Sequence, residues 1–362
     1  MQKRGILLVT GIMSISIILT GCFEGEQSLE DKMDPPQGAE EVDNLDNSKS
    51  GDKAANEKAK TDEEEGTAEE TVKRQLFLID ANGMVAPQTL EIPKDDSMEV
   101  AAQALQYLVK DGPVQDILPN GFQAVLPAGT EVLGLDLEDN GTLVVDVSKE
   151  FENYKAENEL KILQAMTYTL TQFDSVNKIK LQINGYPQDE MPVNGTPIGN
   201  GYSRTNGINL TETDTVDLID SKAVTMYYPT EYNDTNYFVP VTQHIKADGE
   251  EVYDSIIQAL VNGPGYDVNA KQVFNSDVAL AAEPTLNSGV LELVFNKEIL
   301  KDADKTTISD DVMETLVRTL TEQKDVKAVN VKVENVEKLF NENGKEYTEP
   351  VTREMVTNTE KL

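Results

Sequence analysis

The sequence has no tryptophan, one cysteine, one histidine, and 31 basic residues against 65 acidic ones. Each scarcity removes a class of function. With a formal net charge of −34 and no cluster of Lys and Arg, the chain cannot neutralise a phosphate backbone, so nucleic acid is excluded as a partner. One His and one Cys cannot build a His/Cys metal cluster such as a structural zinc site. They also leave His244 as the single imidazole for any mechanism that needs one as a base. Hydrophobic residues make up 39% of the 362, below the ~45–50% usual for globular chains, so part of the length reads as unfolded. The rest leaves room for two or three domain cores.

The one cysteine has a telling position. Lys3 and Arg4 precede an apolar run from Gly5 to Leu19, too short for a membrane span of about twenty residues and suited to a signal-peptide core. It ends in Leu19-Thr20-Gly21-Cys22, which resembles a bacterial lipobox: small residues before the cleavage point, then a thiolate that takes a diacylglycerol. The other reading is a cleaved soluble signal with an incidental Cys. On the lipobox reading, residues 1–21 are a lipoprotein signal peptide and the mature chain starts at lipidated Cys22. It then carries 29 basic residues against 65 acidic ones, a charge of −36, and no free thiol. Each buried CH₂ contributes ~0.8 kcal/mol, so two or more acyl chains such as palmitate hold a protein stably on a membrane. The expected location is the extracytoplasmic side of the cell membrane.

From 22 to 72 runs an acidic linker; residues 23–72 hold 17 acids, 5 bases and one aromatic, Phe23. Such a composition cannot bury enough surface to offset chain entropy. It reads as a solvated tether of ~40 Å root-mean-square span, with an acidic partner-binding segment as the other reading.

Beyond the tether the chain repeats itself. Thr169-Leu170-Thr171-Gln172 returns as Thr319-Leu320-Thr321-Glu322; 178–183 (KIKLQI) returns as 328–333 (AVNVKV); 141–151 returns as 289–299; and Gly112-Pro113 returns as Gly263-Pro264. The order is the same throughout, at a spacing near 150 residues. This places one domain at 73–195, a polar linker at 196–221, a second domain at 222–345 and a C-terminal tail at 346–362. Each repeat, at ~120 residues, is long enough to bury its own core.

Each repeat reads as strand, strand, helix, strand, strand, helix, strand. A first helix over 97–110 is expected, with Asp96 and Glu99 as a capping box and Gly112-Pro113 as its stop. Leu163, Met166 and Leu170 form a helical stripe that Met313, Leu316 and Leu320 repeat. In 178–183, Ile179, Leu181 and Ile183 alternate with Lys178, Lys180 and Gln182, so one sheet face packs on helices and the other stays open. Asn140-Gly141 reads as a hairpin turn. The fold class is α+β: two tandem two-layer α/β sandwich modules.

No catalytic constellation emerges. His244 sits at a strand end of the second repeat only, and reads as an ordinary strand residue. Asp136, Glu138 and Asn140-Gly141 resemble the start of a calcium loop, but its twelfth position is Val147, where a bidentate carboxylate is required. With 65 acids, a pair of carboxylates carries no specificity. There is no G-x-G-x-x-G, P-loop or G-x-S-x-G. Catalytic, cofactor and metal sites are therefore all expected to be absent.

Leu108-Val109-Lys110-Asp111-Gly112-Pro113, then Leu126-Pro127-Ala128-Gly129-Thr130, then 141–151 (GTLVVDVSKEF) resemble the GerMN domain family. The second repeat keeps Gly263-Pro264 and Asn296-Lys297-Glu298, but has Ala282-Glu283-Pro284-Thr285 where a Pro-x-Gly-Thr turn would stand. The resemblance implies modules similar to the ring-building motifs of secretion systems. It also implies a non-enzymatic role as scaffold in the assembly linking mother cell and forespore, with effects on spore germination. The implied partners are SpoIIQ–SpoIIIA-type channel proteins in the intermembrane space and copies of the chain itself.

Two other functions remain open on the residues alone. Tyr227, Tyr228, Tyr232 and Tyr237 would suit sugar stacking in a peptidoglycan- or wall-polymer-binding module, or are strand aromatics of a half-buried sheet. A cell-wall hydrolase is the third reading. For partner binding, the candidate residues are Lys178, Lys180 and Gln182, a locally basic stripe in an acidic molecule; the plainer reading is that the lysines keep an exposed strand soluble.

Overall fold

The computed structural model describes residues 70–94, 99–211, 221–246, 252–265 and 268–357. The signal segment, Cys22, the tether up to residue 69 and Asp96 lie outside the described residues. Module one opens with an antiparallel hairpin, β1 (Thr71–Ile79) and β2 (Val85–Pro93), followed by helix α1 (Val100–Gln106). Then come β3 (Val132–Leu137), β4 (Thr142–Val147), α2 (Glu159–Leu170), β5 (Lys178–Ile183) and β6 (Tyr186–Gln188). The last four strands form one sheet in the order β3-β4-β5-β6, parallel only at its centre, where α2 makes the crossover between β4 and β5.

Module two repeats this plan with hairpin β7 (Ser221–Tyr232) and β8 (Thr235–Lys246), α3 (Val252–Asn262), β9 (Thr285–Asn287) and β10 (Val290–Phe295). A small hairpin, β11 (Leu300–Asp302) and β12 (Thr307–Ile308), precedes α4 (Asp310–Leu320), β13 (Ala328–Val333), β14 (Val351–Thr352) and α5 (Arg353–Thr357). Its sheet runs β9-β10-β13-β14, again parallel only at the centre. The two tandem α+β modules have the expected architecture.

Alternation builds these sheets. Leu143, Val145, Val147, Ile179, Leu181 and Ile183 are buried on one face, as are Leu291, Leu293, Phe295, Val329, Val331 and Val333 in module two. At the β3–β4 turn Gly141 takes φ +77°, and a Cβ there would sit 2.1 Å from Asn177 Nδ2, so glycine is required twice over.

Two local expectations differ from the structure. Helix α1 starts at Val100 and ends at Gln106, not 97–110. The chain leaves the helix early because Leu108 O accepts from Val125 N and Leu126 N, tying 108–110 to the 125–126 loop. The stripe on α2 is also wider than one face: Gln164, Thr167, Tyr168 and Thr169 are buried together with Leu163, Met166 and Leu170. The helix lies against both the β1–β2 hairpin and β5, so little of it reaches water.

Candidate functional site

The repeat persists at the level of single contacts. Thr169 Oγ1 accepts a hydrogen bond from Phe77 N at 3.0 Å, and Thr319 Oγ1 accepts one from Tyr227 N at 3.0 Å. The repeated threonine thus ties the second helix of each module to the first strand of its hairpin. The repeat as folded also runs past residues 195 and 345. Tyr202 bridges Ile179 just as Val351 of β14 pairs with Val329. Two residues further on in each copy stands an arginine. Arg204 donates to Tyr168 O and stacks 4.6 Å over the Tyr168 ring; Arg353 donates to Arg318 O and stacks 4.7 Å over the Tyr227 ring.

The copies differ at the residue after Thr171 and Thr321, and that position joins the modules. In module one Gln172 donates to Gln75 O. In module two the same place holds Glu322, only 13% exposed, which pairs with Arg204 at 2.5 Å and Arg353 at 3.0 Å and accepts from Tyr227 Oη at 3.2 Å. Burial raises the pKa of Glu322, but the charges of Arg204 and Arg353 and the hydrogen bonds from Arg204 and Tyr227 outweigh it and hold the carboxyl at about 2.

A second clamp lies between the hairpins, where β2 faces β8. Pro87 stands opposite Phe77 and Pro240 opposite Tyr227, so neither offers an N–H to the neighbouring hairpin. Asn209 fills the gap: its Oδ1 accepts from Val85 N at 2.9 Å, and its Nδ2 donates to Val85 O at 2.7 Å and Pro240 O at 2.8 Å. Ile208 exchanges hydrogen bonds with Thr242 of β8. Tyr237 Oη donates to Asp80 Oδ2 at 2.8 Å, and its ring meets Phe122 edge-on at 4.9 Å. Residues 196–211, whose polar composition suggests a spacer, are thus the material of the joint.

The third element is the open face of the module-one sheet. Lys178, Lys180 and Gln182 lie together on it as expected, each partly exposed, beside Thr142, Val144 and Asp146 of β4. On the equivalent face of module two, Lys332 pairs with Glu292 at 2.6 Å and Asn330 donates to the same carboxylate. Val144 stands where module two has Glu292, so among the described residues Lys178 and Lys180 make no ion pair.

The tyrosine group does not form a stacking surface. Tyr227, Tyr228 and Tyr237 are buried, and Tyr232 packs over Gly121. His244 lies on β8 with Nδ1 3.4 Å from Ser221 Oγ. Val147 is buried in the core, and no set of three or more His, Cys, Asp or Glu is placed to hold a metal among the described residues. Nor is any helix there long and apolar enough to cross a membrane. Sequence reasoning missed Arg204, Asn209 and Glu322. The pair Ser203-Arg204 and Thr352-Arg353, in register with the repeat, was the available signal.

A family model described as sporulation and spore germination, Germane, matches residues 75–189 and again 225–339. The chain belongs to the Germane family. Its likeness extends over the whole length of one Germane relative, the spore germination protein GerM of Bacillus subtilis (strain 168): 43% identity over 368 residues, covering 99% of each chain. The solved tandem GerMN domains of the sporulation protein GerM from Bacillus subtilis superpose with a TM-score of 0.72 at 47% identity, covering 78% of this chain and 97% of that one. A role in sporulation and germination follows from membership of the Germane family.

Proposed function

We propose that this protein is a lipid-anchored, extracytoplasmic scaffold that helps assemble the channel complex between mother cell and forespore, acting on germination through the spore that results. The observation that carries the reading is the joint: a largely buried carboxylate, 13% exposed, between two arginines and an asparagine clamp hold two modules together. A scaffold needs fixed geometry between the surfaces it offers, and a joint of this kind supplies it. Cys22 is the proposed lipid attachment point, the acidic stretch to 72 the tether, and SpoIIQ–SpoIIIA-type proteins the proposed partners.

The test is affinity purification of the tagged protein from sporulating cells after mild membrane solubilisation. Recovery of the channel proteins is expected. Their absence, with retention of the pure protein on isolated cell walls, would favour a wall-polymer-binding role instead.

A further inference from the structure

We propose that the open sheet face of module one docks an extended acidic segment of a partner protein, through Lys178 and Lys180. The proposal rests on the scaffold reading and names the chemistry of one of its contacts.

The argument begins with charge. The chain carries −34 overall, yet this face presents two lysines with no carboxylate partner among the described residues, Lys180 opposite the apolar side chain of Val144 and Lys178 opposite Thr142. The equivalent face of module two shows the alternative that the same fold permits: Glu292 stands at the Val144 position and satisfies both Lys332 and Asn330. The open face therefore follows from residue choices, Val144 in place of Glu292 on β4 and Lys178 and Lys180 in place of Ala328 and Asn330 on β5, and not from the architecture.

Geometry narrows the occupant. Lys178 and Lys180 are alternate residues of one strand, so their stems rise ~6.6–6.8 Å apart. Carboxylates at positions i and i+2 of an extended segment have the same spacing, with the residue on the partner's other face turned away. The stem of Lys178 is also held in place: a Cβ on Gly201, which has φ +119°, would lie 2.7 Å from Lys178 Cδ. At ~0.15 M salt the screening length is ~8 Å, so a docked acidic strand responds to the two lysines in contact more than to the distant acids of the molecule.

The test uses the full mature-length chain, kept soluble by Cys22→Ser, and a fluorescent ten-residue peptide of alternating Glu and Thr. Binding measured by anisotropy is expected for this peptide and not for its Gln/Thr counterpart. Lys178→Glu with Lys180→Glu should weaken it at least tenfold, Lys178→Gln with Lys180→Gln should weaken it in the same direction, and Lys332→Glu should leave it unchanged. Circular dichroism confirms that each variant is folded. Equal binding of the Gln/Thr peptide, or indifference to both lysine pairs, would overturn the proposal. So would displacement of the probe by a peptide of residues 57–70, which would make the chain's own tether the occupant. The scaffold reading fails on a different result, the absence of channel proteins from the affinity purification, so the two failures are told apart.

Discussion

Arg204 and Arg353, at equivalent positions of two repeats, close on the two oxygens of one carboxylate, that of Glu322. Two half-buried guanidinium groups depend on it. Removing one partner of a buried ion pair costs about 3–5 kcal/mol, because the charge left behind stays desolvated. Glu322→Gln is close to isosteric and should destabilise the protein by about that much in urea unfolding. Glu342→Gln, which breaks the more exposed pair with Lys301, should cost under about 1 kcal/mol.

The same carboxylate gives a pH dependence. Its pKa is depressed in the folded state from 4.5 to about 2, so the unfolded chain binds the proton more readily. The stabilisation, about 3 kcal/mol from the shift, is fully present above pH ~4.5 and is lost as pH falls towards 2. Unfolding curves of wild type and Glu322→Gln should therefore converge at the acid end of this window. A gap that stays constant down to pH 2 would contradict the assignment.

Asn209 satisfies three backbone groups on two hairpins. Asn209→Ala should cost about 2–3 kcal/mol, since buried backbone groups lose their partners. Calorimetry should also show a change in cooperativity: one unfolding transition for wild type, and two for the variant that also carries Glu322→Gln. Two transitions in the wild type would mean that the joint does not couple the modules.

Thr169→Val and Thr319→Val each remove the acceptor for a strand N–H while keeping shape. Equal losses of about 1–2 kcal/mol are expected, and the double variant should show their sum, because the sites lie in different modules. Strongly unequal losses would show that the two contacts differ in weight despite equal geometry.

Cys22→Ala should abolish stable membrane attachment, followed by fractionation of cells once the uncleaved signal segment is accounted for. Retention equal to wild type would exclude the lipid anchor.

What the sequence made legible was periodic. Lys178 to Ile183 alternates without a break, and the structure buries one set and leaves the other open. Thr169 and Thr319 stand out as a repeated word, although the reason for the repetition, a hydrogen bond to a strand 92 residues away, is not local. The joint was illegible for a related reason. Arg204 and Glu322 are 118 residues apart, and residues around Asn209 are polar, like a linker, because their side chains replace the backbone pairing that Pro87 and Pro240 forbid. Composition records that a segment is polar and is silent on whether its polar groups face water or another module.

With the proposed docking of an acidic strand on module one, the contrast between Val144 and Glu292 would also set how many neighbours the molecule engages through this surface. Two equally open faces on one rigid body would make each copy divalent, and divalent units add end to end without limit. Because Glu292 occupies Lys332 and Asn330 within its own sheet, the second face is already taken, and on the proposed docking the molecule would be monovalent there. A monovalent unit terminates or decorates an assembly at a fixed ratio, one copy per acceptor site, and its abundance sets the number of sites filled without lengthening the structure it joins.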